Sequence, residues 1–346
     1  MPLGALPSFD QLPPVPGTPK GCAWGIFDKD GVKDQVGTLN ILTPSVVLEA
    51  SKEIRTGESV ALKYVDGDNG YTKIGHALIL ISYAASWGLE NPPSPFYREK
   101  FHHSIKDVGK EHNMPICCFD DIVHFNTQSS SQWDGFRHWG HATTKQHYNG
   151  ILHDDILGTE ELSIHSWSER GGVIGRGVLV DFASWAGRNG VEIKPATSQV
   201  ISLEVIKQIL AEENVQLKHG DILILRTGLI QAYNKCANDE ERNALMRSSN
   251  TIGTEASEDM VRWLWDNHFS AVAGDAVAFE TQPFAKSYAL HDYLLVWWGM
   301  PIGEMWDLEA LAQKCQSLKR WTFFVTSAPL NVKGGVASPP NALAVF

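Results

Sequence analysis

The sequence predicts an α/β fold in a single domain with long insertions, and three observations carry that expectation. Strand-like and helix-like stretches alternate through the second half of the chain. The strand-like stretches are continuous apolar runs, as strands covered on both faces are. No linker-like stretch and no internal repeat divides the chain.

Taken in order, residues 1 to 20 carry prolines at positions 2, 7, 13, 14, 16 and 19 and read as an extended, weakly ordered arm ahead of a domain over 21–346. Asn40-Ile41-Leu42-Thr43-Pro44 reads as a helix start, with Thr43 as cap and Pro44 at the first helical position. The following SVVLEASKEIRTG stops at Gly57. Ser59 to Val65 and Ala77 to Tyr83 read as strands, the second apolar enough to be buried. From Trp87 to about Met114 the chain is polar, with prolines and His102-His103, which predicts a long excursion or lid. Strand character returns over Ile116 to Phe125, where Cys117 and Cys118 read as core.

In the second half, Gly177 to Phe182 reads as a buried strand. Ser202 caps the helix LEVIKQILAEEN, and His219-Gly220-Asp221 turns into the strand ILILRTG. Ser257 caps SEDMVRWLWDNH, ahead of a strand from Ser270 to Asp275. Then come a buried strand through LLVWWG that His291 starts, a helix around LEALAQKCQ and the strand TFFVTSAPL.

Composition excludes several classes of function. Hydrophobic residues at 43% and charged residues at 20% are those of an ordinary globular protein. A formal net charge of -11 over 346 residues repels phosphate, and no Lys/Arg-rich stripe offsets it, so nucleic acid is not an expected partner. Five cysteines without a Cys-x-x-Cys pair predict neither a disulfide framework nor a structural zinc site. With no secretory pattern and no apolar run of membrane-spanning length, the expectation is a cytoplasmic protein without membrane contact. Twelve tryptophans suit an aromatic-lined pocket for a small molecule.

Three clusters could carry chemistry. The first is Gln128, Gln132, Asp134, His138 and His141, of which residues 128, 132, 134 and 138 share parity, so an extended chain would face them to one side and offer amides, a carboxylate and an imidazole to one ion or substrate. The plain alternative is a turn at Gly135 with His138 against a core aromatic. His291 and Glu304 flank the apolar run and a Gly-Met-Pro-Ile-Gly turn, where they either converge on a pocket floor or are a strand-edge His and a helix-start Glu. Asp275 and Glu280, after an apolar strand, read as structural or supporting groups. Gly-x-Ser-x-Gly, phosphate-loop and dinucleotide patterns are missing.

The order of these pieces resembles the cyclase family that includes bacterial kynurenine formamidase and isatin hydrolase. That family's mark is His-x-Gly-Thr-His-x-Asp-x-Pro-x-His, followed much later by a His and a Glu. Here the similar stretch runs from Gln128 through Gln132, Trp133 and Asp134 to His138, and the late pair is His291 and Glu304. WGIFD, GTLNILTP, RGVLVDFASWAG, HGDILILRTG, AVAGDAVAFE and the C-terminal APLNVKGGVASPPNALAVF extend the resemblance from about residue 22 to the end. Longer members of the family also read Gln-Trp-Asp, so the chain resembles that subgroup.

The resemblance implies a mixed-sheet, swivelling β/β/α fold assembled as a homo-oligomer, a dimer or a tetramer. It implies a divalent metal on Gln132, Asp134 and His138, with Gln128 and Gln132 standing where the family has histidine ligands. A glutamine carbonyl is a hard, uncharged oxygen ligand, better suited to Mn²⁺ or Mg²⁺ than to Zn²⁺. His138, His291 and Glu304 become the catalytic candidates, with His138 as base, and Gln128, Trp133, Trp139 and Trp298 the substrate-binding ones, with Trp297 and Trp306 as further walls. The expected activity is hydrolysis of an amide, lactam or lactone in a small aromatic metabolite with a Mn²⁺ or Zn²⁺ cofactor. The alternative is a dehydratase or ring-forming enzyme of secondary metabolism that works without metal on the same Asp134, His138, His291 and Glu304.

Overall fold

Strands form both from long aliphatic runs and from short mixed pieces such as Gln132–Asp134. In the computed structural model, which describes residues 6–61, 87–92, 96 and 98–346, they are β1 (Ser59–Ala61), β2 (His102–Asp107), β3 (Phe119–His124), β4 (Gln132–Asp134), β5 (Val173–Asp181), β6 (Val200–Ile201), β7 (Ile222–Arg226), β8 (Gly253–Thr254), β9 (Ala271–Gly274), β10 (Ile302–Glu304), β11 (Thr322–Ser327), β12 (Ala337–Ser338) and β13 (Ala342–Val345). The expected strand at Ala77–Tyr83 and the end of that at Ser59–Val65 lie outside the described residues.

Among the described residues nine strands form one mixed sheet in the order β1-β13-β11-β5-β7-β9-β10-β4-β12. Its centre, β5 through β7 and β9 to β10, is parallel, and antiparallel strands close it on both sides. The parallel strands are buried along their lengths, which is why they read as unbroken apolar runs. Ser202, Ser257 and Thr43 cap their helices as expected, each side-chain oxygen accepting from the backbone N–H three residues on. The helix after Thr43 is shorter than expected, ending at Ala50 before one 3₁₀ turn. Among the described residues no helix is long and apolar enough to cross a membrane.

Three expectations need correction. The segment after His291 is a π-helix, Asp292–Trp298, not a strand. A short run that is apolar all round fits a buried helix as well as a buried strand, so periodicity could not separate them. Its left-handed end, Gly299 (φ 62°), closes on Gly37, where an added Cβ would lie 1.8 Å from the Gly299 carbonyl oxygen. Second, among the described residues β2 and β3 pair only with each other, outside the large sheet, and Phe119 is 70% exposed with Cys117 and Cys118 on the surface rather than in the core. Third, the described part of the proline-rich arm is docked. Phe9 is buried and its N–H donates to Asp266, while the Trp265 indole N–H donates to the Pro7 carbonyl.

Candidate active site

The pairing of β4 with β10 builds the site. It sets Gln132 opposite Glu304, Trp133 opposite Gly303 and Asp134 opposite Ile302. Side chains alternate along a strand, so Gln132 and Asp134 share one face and Trp133 points to the other. Trp133 is accordingly core: it packs on Trp167 and Trp306 and donates to Ser327 Oγ at 2.9 Å. Trp298 is also core, packed on Trp265 and Tyr293 and donating to the Gly21 carbonyl at 2.7 Å. Neither walls a pocket as expected, because each indole is wholly enclosed and its N–H already satisfied. Trp306 is buried with them, donating to the Gln132 carbonyl at 3.0 Å. Buried Trp297 instead lines a separate outer cavity with His141 and Tyr293.

The remaining expected residues converge. Gln128 Nε2 donates to Asp134 Oδ1 at 2.6 Å, and Gln132 Nε2 donates to Glu304 Oε2 at 2.9 Å. His138 Nε2 lies 4.0 Å from Asp134 Oδ2, and His291 Nε2 lies 3.3 Å from Glu304 Oε1. Asp134, His291 and Glu304 each offer a ligand atom, all within 4.8 Å of one another, and all three are buried. His138 is outside that trio, at the rim, with its side chain 23% exposed. Of the expected Gln132, Asp134 and His138 set, the trio contains Asp134; the π-helix start brings His291 deeper than His138. Trp139 stands edge-on to the His291 ring at 5.1 Å and donates to Asp292 Oδ1 at 2.8 Å, so this indole does adjoin the site.

Glu280 organises His291. Its carboxylate accepts from the Leu290 and His291 backbone N–H groups at 2.5 and 2.7 Å and from His291 Nδ1 at 2.8 Å. That bond places a proton on Nδ1 and aims Nε2 at Glu304. Asp275 is structural, as expected, holding Thr227 and the Gly228 N–H after β7. Spacing gave no hint of Arg98, whose Nη1 donates to the Gln128 carbonyl from thirty residues upstream.

The electrostatics follow from burial. Burial pulls the His291 imidazole down, but the Glu280 and Glu304 carboxylates outweigh it and hold it well above its usual range. Burial and the nearby Asp134 charge push Glu304 up to about 7, against the opposing bonds from His291 and Gln132. Burial lowers His138 despite the counteracting Asp134.

Three buried oxygens of this cluster, Gln128 Oε1, Gln132 Oε1 and Asp134 Oδ2, have no hydrogen-bond partner among the described residues, and Glu304 Oε1 has the His291 Nε2 contact at 3.3 Å. A buried acceptor left unpaired costs roughly 1–3 kcal/mol, so three around one carboxylate–imidazole cluster call for a positive partner. Two carboxylates, two amide carbonyls and the His291 imidazole fit a hard divalent cation.

A mixed-sheet α/β fold around a buried carboxylate–imidazole cluster is thus defined, and comparison with known proteins assigns it. A family model described as "Putative cyclase" matches residues 74–281, so the chain belongs to the cyclase family. The match ends before His291 and Glu304, which the fold rather than the matched stretch ties to the site. The crystal structure of a novel cyclase is similar at 27% identity and TM-score 0.76, covering 94% of this chain and 99% of that one. Isatin hydrolase A from Labrenzia aggregata, solved with benzyl benzoate, is 16% identical with TM-score 0.50, covering 89% of this chain and 98% of its own, a likeness of fold. No curated protein matches the chain.

Proposed function

We propose that this protein is a divalent-metal-dependent hydrolase that opens an amide, lactam or lactone bond in a small aromatic molecule. The observation that carries the proposal is the convergence of buried Asp134, His291 and Glu304, beside Gln128 and Gln132 whose amide oxygens have no partner among the described residues. Gln132, Asp134, His291 and Glu304 would hold the cation, with Gln128 beside them. The oxygen-rich set favours Mn²⁺ or Mg²⁺ over Zn²⁺. A bound divalent cation supplies the charge that makes water more acidic and a carbonyl more electrophilic.

The protein's own residues do the rest. His138, partly open and kept below its ordinary value by burial, is neutral at pH 7 and takes a proton from water. Asp134, 4.0 Å away, stabilises the imidazolium that results. His138 then returns the proton to the leaving nitrogen or oxygen. Glu280 fixes His291, so that Nε2 and Glu304 keep one geometry through the cycle.

The test is metal analysis of the purified protein, with turnover of an N-formylaniline or a lactam such as isatin before and after chelation. About one equivalent of divalent metal and loss of turnover on its removal are expected; full activity without metal would sink the reading.

One observation favours the metal-free dehydratase or cyclase alternative. The Gln128 and Gln132 amide N–H groups already bind both carboxylates, and Glu304 near 7 could serve as an acid unaided. Product mass separates the two, since hydrolysis adds one water to the substrate and cyclisation adds none. Assembly as a homo-oligomer in the cytoplasm completes the proposal on the family resemblance, with light scattering as its check.

A further inference from the structure

Among the described residues, Arg98 is the one charged side chain of the excursion that interacts with this site. Its Nη1 donates to the Gln128 carbonyl, and its guanidinium lies over the Phe96 ring at 5.2 Å. The Gln128 side chain in turn holds Asp134 at 2.6 Å, so the guanidinium stands one residue from the carboxylate pair. Its charge reaches His138, and those of Asp134 and Glu304 reach it. Yet no carboxylate among the described residues forms an ion pair with it, and its one hydrogen bond there uses a single donor of five. A half-buried guanidinium with a free edge beside a catalytic cluster is a receptor for a planar anion.

We propose that Arg98 binds the carboxylate formed in the reaction, so that the natural substrate is an acyl compound whose released acid is an aryl or arylacyl carboxylate. The inference rests on the proposed hydrolysis only for the origin of that carboxylate. In that step the water oxygen bonds to the acyl carbon, and the acyl C–N or C–O bond breaks. The leaving atom takes the bond pair and the proton carried by His138, and the new acid loses its proton to become the carboxylate. A neutral carbonyl gains less from a guanidinium than the negatively charged oxygen that develops as the bond breaks, so Arg98 acts more on the transition state and product than on bound substrate.

The competing anion site is the outer cavity of about 480 Å³ lined by Lys20, His141, Lys286, Tyr288 and Trp297. Lys20 there is already paired with Asp10 at 2.6 Å, which leaves Lys286 as the cation to remove. Benzoate and its neutral isostere benzamide are titrated calorimetrically into the Mn²⁺-equilibrated wild type, Arg98→Ala, Arg98→Lys and Lys286→Ala, with metal content and circular dichroism recorded for each.

The wild type is expected to prefer benzoate by about tenfold or more, the worth of a charge-assisted pair. Arg98→Ala should lose the preference, Arg98→Lys should keep part of it because charge remains without the fork, and Lys286→Ala should behave as wild type. If Arg98→Ala does not fold, a folded Arg98→Lys must still show a reduced preference. The proposal is overturned if the wild type shows no preference, if neither Arg98 variant lowers it, if Lys286→Ala abolishes it, or if it falls only in step with metal content. Intact Arg98-dependent benzoate binding in a protein that hydrolyses none of the probes would break the hydrolase reading and leave the anion site standing.

Discussion

The two segments that meet at the site are held in opposite ways. Residues 280–304 are over-determined: Glu280 accepts three hydrogen bonds, His291 lies between two carboxylates, and Glu304 is tied to both His291 and Gln132. In residues 128–138, Gln132 and Asp134 share one face of β4, yet Gln128 Oε1, Gln132 Oε1 and Asp134 Oδ2 are left without partners among the described residues. One segment sets geometry and the other receives a ligand. A site built this way keeps its imidazole oriented before the ligand arrives, which lowers the cost of binding it.

The largest effects should come from the groups through which protons and charge pass. His138→Ala should lower kcat by about 10²–10⁴-fold, the usual worth of a positioned acid or base, and Glu304→Gln should lower both metal content and turnover, with circular dichroism unchanged in each. A Glu304→Gln protein within tenfold of wild type would remove Glu304 from the chemistry. The pH profile tests His138 by a second route. Burial lowers its pKa, and the base works only when neutral. The rate should therefore rise with pH through a value below that of a free imidazole and then level off; an acid limb at or above the ordinary imidazole value contradicts the assignment.

Loosening the rigid segment comes next. Glu280→Gln keeps one of the two acceptor oxygens and gives up the negative charge opposite His291 Nδ1. About a 10–100-fold loss in metal affinity or turnover is expected from removing such a support. It should be accompanied by a shift of the His291 ¹⁵N resonances, which a purely structural Glu280 would not produce.

Changing the receptive segment should alter selectivity more than rate. Gln132→His replaces a hard carbonyl oxygen by imidazole, and the Zn²⁺:Mn²⁺ occupancy ratio after dialysis against equimolar ions should rise by about tenfold, roughly 1.4 kcal/mol. An unchanged ratio would place Gln132 outside the ion's reach and leave its N–H bond to Glu304 as its role.

How much of this was legible in the sequence follows from the range of each signal. Capped helices and doubly covered strands declare themselves locally, so Ser202, Ser257 and the ILILR strand were found where they lie. Shared parity likewise anticipated the face made by Gln132 and Asp134. The π-helix was lost because an all-apolar run has no usable period. Arg98 was lost because a contact across thirty residues leaves no mark in spacing. Tryptophan count pointed to a pocket, yet Trp133 and Trp298 fill the core, since composition cannot say which face of the sheet an indole takes.

Trp139 is where the two segments touch away from the acid pair, and it should give the smallest effect. Its indole N–H donates to Asp292 Oδ1 at 2.8 Å, one residue beyond His291, while its ring packs edge-on against the His291 imidazole and on Phe284. Trp139→Phe keeps most of the ring contact and deletes the hydrogen bond, which is partly exposed and worth about 1 kcal/mol. If Glu280 alone fixes His291, turnover should fall no more than about fivefold and the pH profile should keep its shape. A loss approaching that of Glu280→Gln would mean that the imidazole is oriented from its ring face as well as from Nδ1, and the contrast between a rigid and a receptive segment would blur at residue 139.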